Sequence, residues 1–573
     1  MLETTKSFLR DLWALTKPYW QSEERWRSGA LLAVIVGMQL GLVGLNVIFN
    51  DWNNSFYNSL QDKKFDAFTH QLIRFTFIAA AFIIVAVYQN YLQQMLQIRW
   101  RRWLTERYIA RWMEGHAYYR LQIASDGTDN PDQRIAEDVN SYISSTLSLT
   151  LGLLNAVVTL VSFAAILWSL SGSFKIGGLE IPGYMLWAAL IYAIVGSWLM
   201  NLIGRPLINL NFMQQRFEAN FRYSLVRLRE NAEGVALYGG ESQEARGFGK
   251  RFADVVSNWW AIMRRTKRMN WFSSGYSQIA IIFPFVVAAP RYFTGAIQLG
   301  GLMQTASAFG QVQGAMSWFI NAYPSIADWK ATVDRLTGFE RRLHDIAKAG
   351  QGEIIRTEGP AGSAIAIDGL DLSLPNGSQL LRDLNLELPS GSRTLVTGPS
   401  GSGKSTLFRA LAGLWPYAKG KLSFPSGERL LFLPQKPYLP IATLMAAVAY
   451  PDAPETYGAE KIRSALADCG LSSFSDRLDQ EQNWSQIMSL GEQQRLAVAR
   501  ALLVAPRWLF LDEATSALDE TAERALYRIL TERLATTAIM SIAHHPNLAS
   551  FHDRSLAFAG DGAHATARLA AAE

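Results

Sequence analysis

The segment GPSGSGKST, residues 398–406, has the residue types and spacing that bind phosphate groups. Gly401 and Gly403 allow backbone amides to approach phosphate oxygens, and the Lys404 ammonium can reach the β- and γ-phosphates. The hydroxyl of Ser405 can ligate Mg²⁺. A strand-like SRTLVT precedes the segment and a helical LFRALAGLW follows it, which is the context that such a loop requires. The residues predicted to bind a nucleotide here are Gly398, Ser400, Gly401, Gly403, Lys404, Ser405 and Thr406.

Two adjacent acids end an apolar strand in the segment RWLFLDEATSALD, residues 507–519. The Asp512 carboxylate can hold Mg²⁺, and the Glu513 carboxylate can accept a proton from an attacking water. Two acids at a strand end are often merely solvated. The phosphate-binding segment upstream and the SALD that follows favour the catalytic interpretation.

Two more strand ends carry polar side chains that suit the same chemistry. Gln435, in LLFLPQKPYLP, can reach Mg²⁺ or the attacking water, and His544, in IMSIAHHPNL, can touch a terminal phosphate. Either residue alone would be an ordinary strand-end side chain, and His545 before Pro546 is expected in a loop. The set predicts Glu513, His544 and Gln435 as catalytic residues, and Ser405, Gln435 and Asp512 as metal ligands.

The segment SLGEQQRLAVARALL, residues 489–503, is predicted to be a helix whose N-terminus can hold an anion. With the elements above, it completes an order that resembles the ATPase of ATP-binding cassette (ABC) transporters throughout residues 364–550. The resemblance implies an α/β P-loop NTPase domain that uses ATP and Mg²⁺. It also implies that Ser489, Gly491 and Glu492 meet the ATP held by a second subunit, and that Asp519 helps to couple the two sites.

One feature departs from that family, which usually stacks adenine on an aromatic residue ahead of the phosphate loop. No Phe, Tyr or Trp occurs between Phe339 and Phe408. The adenine contact is therefore expected from apolar residues near Leu374 or Pro375, or from elsewhere. This predicts weak selectivity for the base.

The elements that must position this chemistry follow a long apolar half. Six apolar runs predict a membrane domain, and the last two are less certain because of prolines and polar residues. The stretches between the second and third runs and between the fourth and fifth are rich in arginine, whereas the opposite loops are poor in basic residues. This asymmetry predicts cytosolic termini and a cytosolic ATPase. The predicted spans lie within 28–50, 75–92, 144–170, 184–204, 277–290 and 301–323.

These patterns give the predicted architecture: a membrane all-α domain of six helices followed by the α/β domain. The predicted boundaries are a helix lying at the membrane surface in 1–27, the transmembrane domain in 28–343, a linker in 344–363 and the ATPase domain in 364–573. A first helix that packs on the bundle is an equal alternative to an interfacial one. The net charge of +5 gives no indication of nucleic acid, and the single Cys469 excludes an intrachain disulfide.

The variant SLGEQQR resembles the peroxisomal fatty-acyl subfamily (subfamily D) and its bacterial relatives. The segment APRYFTGAIQLGGLMQ, residues 289–304, is similar to the SbmA/BacA-type peptide uptake proteins. The resemblance implies a homodimer in a bacterial inner membrane that takes up peptides and other hydrophilic cargo by alternating access. Export or flipping of acyl-CoA or lipid is the main alternative, and a tethered regulatory ATPase is a third. The segment 230–241 is expected to dock on the ATPase, unless it is an ordinary helix–turn surface.

Overall fold

A computed structural model describes residues 2–124, 130–176, 179–349, 354–543, 545–559 and 566–571. The chain divides into two compact units. The first comprises Met1–Ile109 and Asn130–Phe339, and the second comprises Ala110–Asp129 and Glu340–Glu573. A short segment from the N-terminal half therefore belongs to the second unit.

The first unit is built from long helices, because its apolar runs and the arginine-rich stretches beside them continue without interruption as helix. Its short strands β1 (Ser173–Ile176) and β2 (Leu179–Pro182) pair antiparallel. The helices of the N-terminal half are α1 (Leu2–Trp20), α2 (Arg25–Gln61), α3 (Phe65–Met113), α4 (Ala117–Ala124), α5 (Pro131–Gln133), α6 (Val139–Ser171), α7 (Tyr184–Glu230), α8 (Ala232–Tyr238), α9 (Glu241–Phe293) and α10 (Leu299–Ala349).

Within the described residues, five helices are long and apolar enough to cross a membrane: those that begin at Arg25, Phe65, Pro131, Tyr184 and Glu241. The sixth predicted run lies in α10, which has the length but is not among the five. Gln304, Gln311 and Gln313 interrupt its apolar sequence. Six spans are consistent with this arrangement, and the sixth stays a prediction.

The first helix packs on the bundle through aromatic residues. Tyr19 is fully buried and stacks on Trp100, with ring centroids 5.2 Å apart. Leu9 and Trp13 remain exposed on its outer side. The end of α1 thus packs on the bundle, while its exposed apolar side chains also suit a position at a membrane surface, so both interpretations stay predictions.

An ion-pair cluster around the buried Asp138 joins helices of the first unit that are distant in sequence. The Asp138 carboxylate lies 2.7 Å from Arg335 Nη2 and 2.8 Å from Arg134 Nη1. Because Asp138 is buried, these two partners are needed to compensate its charge. The cluster thus ties the start of α6 to α10.

The second unit contains the α/β architecture that the sequence predicts. Its strands are β3 (Ile354–Gly359), β4 (Ile365–Ser373), β5 (Gln379–Leu388), β6 (Arg393–Thr397), β7 (Ala418–Pro425), β8 (Leu430–Leu433), β9 (Ala442–Thr443), β10 (Glu481–Gln482), β11 (Trp508–Asp512), β12 (Ala538–Ile542), β13 (Arg554–Ala559) and β14 (Thr566–Ala571). A six-stranded sheet has the order β14-β13-β6-β12-β11-β8, and a four-stranded sheet has the order β3-β7-β4-β5.

Strands β6, β12, β11 and β8 run parallel, so their carboxyl ends meet at one edge of the sheet. Their residues are buried as continuous apolar runs because helices cover both faces. The helices are α11 (Lys404–Leu411), α12 (Leu444–Ala449), α13 (Ala459–Asp468), α14 (Trp484–Ile487), α15 (Leu490–Val504) and α16 (Glu520–Arg533). The stretch 344–363, expected to be a linker, holds the end of α10 and strand β3, which pairs with β7.

Candidate active site

The phosphate-binding segment connects β6 to α11 in a conformation that requires glycine. Gly398 has φ +142°, and a Cβ there would lie 2.7 Å from the Phe558 backbone oxygen. Gly403 has φ +94° immediately before α11, in the left-handed region that favours glycine. The predicted loop therefore forms, with the amides of the first turn of α11 at its mouth.

Lys404 is buried at the start of α11, and its Nζ donates to Gly398 O at 2.8 Å and to Pro399 O at 2.7 Å. Burial lowers the pKa of the ammonium below its usual value, although Glu513 and Asp512 act in the opposite direction. The ammonium is thus already positioned inside the loop. Ser400 and Gly401 are exposed at the rim, and Thr406 is buried within α11.

Ser405 and Asp512 are brought together as the sequence predicts. Ser405 Oγ donates to Asp512 Oδ1 at 2.7 Å. Burial raises the pKa of the Asp512 carboxyl, whereas the hydrogen bond from Ser405 lowers it and Glu513 raises it further. The Ser405 hydroxyl and the Asp512 carboxylate, which lies at the end of β11, form a suitable partial ligand set for Mg²⁺. This ion commonly takes its other ligands from phosphates and water.

Gln435 and Glu513 are also in contact. Gln435 Nε2 donates to Glu513 Oε2 at 2.9 Å, and the Glu513 amide donates to Ile542 O at 3.1 Å. Glu513 has φ +50°, a conformation that carries a cost for a non-glycine residue. The strand end therefore directs this side chain towards the segment after β8. Such strained positions are typical of functional sites.

The predicted catalytic His544 lies outside the described residues. Its neighbour His545 is in a loop, as expected, but its Nδ1 lies 2.8 Å from the Glu523 carboxylate. Glu523 is buried and also accepts a hydrogen bond from Thr515 Oγ1 at 2.7 Å. His545 is thereby connected to α16.

The sequence analysis did not identify Gln494, which joins three segments of the site. This fully buried side chain donates through Nε2 to Gln435 O at 2.9 Å and accepts through Oε1 from Ala517 N at 2.9 Å. Its Nε2 also lies 3.4 Å from Ser516 Oγ. The signal in the sequence was a polar residue on the helix face of Leu490, Gly491, Ala497 and Val498, which lie three and four positions away and are all non-polar.

The start of α15 forms a capping box. Ser489 Oγ accepts from Glu492 N at 3.3 Å, and Glu492 Oε2 accepts from Ser489 N at 2.9 Å. A Cβ at Gly491 would lie 3.1 Å from Leu518, so a larger residue would crowd the segment before α16. Within the described residues, no hydrogen bond joins Ser489, Gly491 or Glu492 to the phosphate-binding loop.

Asp519 caps α16, because its Oδ1 accepts from Ala522 N at 2.8 Å. The side chain is exposed at the same segment that Gln494 holds through Ala517 N. A role in coupling two sites stays a prediction for Asp519. The geometry gives it a local function as an N-cap.

An aromatic pair lies beside the loop where the adenine contact was expected. Trp415 Nε1 donates to Ser373 O at 2.9 Å, and Ser373 N donates to Tyr417 O at 2.9 Å. Leu374 follows Ser373 directly and packs against the same core. Trp415 and Tyr417 come after the phosphate loop in sequence, so a search upstream of the loop misses them.

Two arginines from other elements donate hydrogen bonds to backbone carbonyls at the carboxyl end of α11. Arg120 Nη2 of α4 donates to Gly413 O at 3.3 Å, and Arg356 Nη2 of β3 donates to Leu411 O at 2.7 Å. Burial lowers the pKa of both guanidinium groups. Cations at this end of a helix are favoured by its dipole. Ile123 of α4 packs against the hydrophobic core that α11 forms with strands β4 and β5, which explains why this segment belongs to the second unit.

These features fit ATP and Mg²⁺. A Cβ at Gly401 would meet no atom within 4 Å, which leaves the mouth of the loop open. Within the described residues, the buried Ser402 Oγ has no hydrogen-bond partner. Among the residues that the structure describes, Lys404 Nζ bonds to the loop carbonyls of Gly398 and Pro399, and it can turn from them towards a phosphate. The donor set is therefore the one that a nucleotide with Mg²⁺ requires.

Comparisons with known protein families agree with this site. Residues 15–293 match the family described as ABC transporter transmembrane region 2, and residues 381–516 match the ABC transporter family. A solved structure of a bacterial Atm1-family ABC exporter with ATP bound is similar over 96% of both chains, with a TM-score of 0.72 and 18% identity. The fold is therefore that of an ABC exporter.

Curated relatives match almost the whole chain. An uncharacterized ABC transporter ATP-binding protein of Haemophilus influenzae is 38% identical over 96% of this chain and 92% of its own length. The inner membrane ABC transporter ATP-binding protein YddA of Escherichia coli is 34% identical over 96% and 97%. The chloroplastic ABC transporter D family member 2 of Arabidopsis thaliana is 34% identical over 96% and 86%.

The relatives and the fold together define the class of the chain. An exporter fold with one membrane domain and one ATPase domain is half of a transporter, and such halves typically act as homo- or heterodimers with ATP at the interface. The chain therefore belongs to the ABC transporter family, as a half-transporter of the type that includes the D family, a multi-pass inner-membrane protein that uses ATP and Mg²⁺ and couples ATP hydrolysis to transport.

Proposed function

We propose that the chain forms a homodimer that takes up peptides and other hydrophilic cargo across a bacterial inner membrane. The ATPase domain and both termini lie in the cytoplasm in this proposal, because the arginine-rich stretches flank the predicted spans on one side. The transport cycle is alternating access coupled to ATP hydrolysis.

The proposed roles in hydrolysis follow from the contacts at the carboxyl edge of the sheet. Lys404 and the loop amides bind phosphate oxygens, and Ser405 with Asp512 holds Mg²⁺, which supplies charge neutralisation when bound. Glu513 accepts the proton of the attacking water, and Gln435 orients the Glu513 carboxylate through their 2.9 Å hydrogen bond. His544 is proposed to contact the terminal phosphate.

The second subunit completes each site in this proposal. Ser489 is exposed at the first turn of α15, and it makes no hydrogen bond to its own phosphate loop within the described residues. The helix N-terminus offers amides to an anion from outside the chain. We therefore assign Ser489 and Gly491 to the ATP of the partner, with Glu492 beside them at the same helix end acting through Ser489, and Asp519 to the contact between the two sites.

A partly polar cavity in the first unit is the observation that supports hydrophilic cargo. It has a volume of about 570 Å³. On α7 its residues follow helical spacing, and three of them are Ser197, Asn201 and Arg205. Arg205 has no ion pair with the described residues, so its guanidinium is available to a carboxylate of the cargo. The remaining lining residues are Ile194, Trp198, Met316 and Tyr323.

A second groove supports the alternative cargo, an acyl chain or lipid. It has a volume of about 670 Å³ and lies between α7 and α9, where Tyr192 and Tyr276 stack with ring centroids 4.5 Å apart. Ile191, Val195 and Ile279 give it an almost wholly apolar lining. Such a surface suits hydrocarbon better than a peptide backbone.

Uptake by cells that express the chain tests the proposal. We expect a labelled proline-rich peptide to accumulate with the wild-type chain and with Glu532→Gln, an exposed control carboxylate on α16, but not with Glu513→Gln. Uptake that survives Glu513→Gln would contradict the coupling to ATP. Absence of peptide uptake, together with transfer of a labelled acyl chain between leaflets of proteoliposomes, would establish the alternative.

A further inference from the structure

At the first turn of α15, the chain's own Glu492 carboxylate accepts the hydrogen bonds that an anion would accept. Glu492 Oε2 accepts from Ser489 N and from Ser489 Oγ, both at 2.9 Å. The helix has 15 residues, so its first amides and its dipole favour a negative group here. The internal carboxylate therefore occupies the donors that the proposed function assigns to a phosphate.

The hydroxyl group makes the competition direct. A serine hydroxyl has one proton to donate. In the single chain, without its partner, Ser489 donates this proton to Glu492. A phosphate that binds Ser489 has to take over this donor. It also has to approach a carboxylate, and like charges in contact at an interface are costly.

We propose that Glu492 is an internal competitor of the partner's nucleotide: its carboxylate holds Ser489 until a terminal phosphate displaces it. Glu492 acts through Ser489 and is thus a positioning residue. Its effect is to raise the ATP concentration at which the two ATPase units close. This inference rests on the proposed assignment of Ser489 to the partner's ATP.

Glutamine is the informative replacement at this position. A capping box accepts Glu or Gln at its third helical position, so Glu492→Gln keeps an acceptor for Ser489 N and removes only the charge. We expect only a small loss of thermal stability, from the charge that no longer meets the helix dipole. The KM for ATP of the purified dimer should fall about tenfold, which corresponds to about 1.4 kcal/mol. The exposed position of Ser489 makes the effect sensitive to salt.

Two control variants separate charge from structure. Glu492→Asp keeps the charge, so we expect its KM to stay close to that of the wild type. Glu460→Gln removes an exposed carboxylate from α13 and should leave the KM unchanged. The ratio of the wild-type KM to the Glu492→Gln KM should shrink towards one in high salt, which a purely structural role does not predict.

Ser489→Ala distinguishes a failure of this inference from a failure of the site assignment. If Ser489→Ala abolishes hydrolysis but Glu492→Gln leaves the KM unchanged or raises it, the competitor role is wrong and the assignment of Ser489 stands. If Ser489→Ala hydrolyses ATP as the wild type does, the assignment itself is wrong. Loss of activity in Ser489→Ala with a lowered KM in Glu492→Gln supports both.

Discussion

Gln494 offers the sharpest test of how the catalytic segments are held. Replacement by leucine keeps the volume of this buried side chain and removes its hydrogen bonds to Gln435 O and Ala517 N, each 2.9 Å long. Each bond contributes about 1 kcal/mol net, so we expect the free energy of unfolding to fall by about 2 kcal/mol. Both partners lie in exposed segments, where water can replace the lost bonds, which keeps the cost at that level.

The same loss should appear in catalysis, because Gln435 in turn holds Glu513 at 2.9 Å. If the full 2 kcal/mol or so is withdrawn from the transition state, kcat falls about thirtyfold. The assay is ATP hydrolysis by the purified dimer, with thermal unfolding measured in parallel. Thr537→Val is the matched control, since it removes a buried 2.6 Å hydrogen bond to Pro506 O, between the residues that precede β12 and β11.

Stability and kcat, measured for both variants, distinguish a positioning role of Gln494 from a purely structural one. We expect Thr537→Val to lower stability and leave kcat unchanged, whereas Gln494→Leu lowers both. A Gln494→Leu protein that is destabilised as expected but retains kcat within about twofold of the wild type would refute the reasoning. Gln494 would then support the fold without positioning the catalytic glutamate.

Three further predictions concern other parts of the second unit. Arg120→Gln removes the hydrogen bond by which α4, a segment of the N-terminal half, contacts Gly413 O after α11. Because this contact lies outside the catalytic residues, we expect uptake to fall severalfold while basal ATP hydrolysis persists, and parallel loss of both would contradict this expectation. GTP should support hydrolysis with kcat/KM within about tenfold of ATP, because no aromatic residue lies between Phe339 and Phe408 and the buried Trp415 already bonds to Ser373 O. Strict ATP dependence would contradict this and would point to Trp415 or Tyr417 as the base contact. Burial raises the pKa of Asp512, so protons compete with Mg²⁺ for this carboxylate, and the half-saturating Mg²⁺ concentration for hydrolysis should rise as the pH falls. A carboxyl with a raised pKa favours folding in its protonated form. In the absence of Mg²⁺, its contribution to stability is therefore lost as the pH rises through that pKa.

The phosphate-binding loop and the acid pair could be predicted because their chemistry is local. Short segments fix a strand, a glycine turn and a polar residue at a strand end, and parallel pairing brings such ends together: Asp512 of β11 pairs with Ile542 of β12. Gln494 and Arg120 could not be predicted in the same way. Their partners lie 59 and 293 residues away in sequence, and only the folded chain shows which carbonyl each side chain meets.

The membrane half shows a different limit. Composition predicts a span where apolar residues dominate, and the polar run in α10 carries a weak signal for this reason. The polar side chains of the spans have structural partners that composition does not reveal: Asn155 accepts from Gln39 at 2.9 Å, and Gln304 accepts from Asn54 at 2.8 Å. Arg205, by contrast, lines a cavity without an ion pair among the described residues.

Helix α15 links two kinds of contact that belong to different sites. Its exposed first turn carries Ser489, which we assign to the partner's nucleotide, and its buried Gln494 holds the segments around the chain's own Glu513. Ser489 is the N-cap and Gln494 lies in the second turn of a helix whose residues 496–501 are buried, so the two are held in a fixed relation. A shift of the first turn on binding the partner's phosphate would therefore move the support of the chain's own catalytic glutamate. In the proposed dimer, hydrolysis at one site would then depend on occupancy of the other.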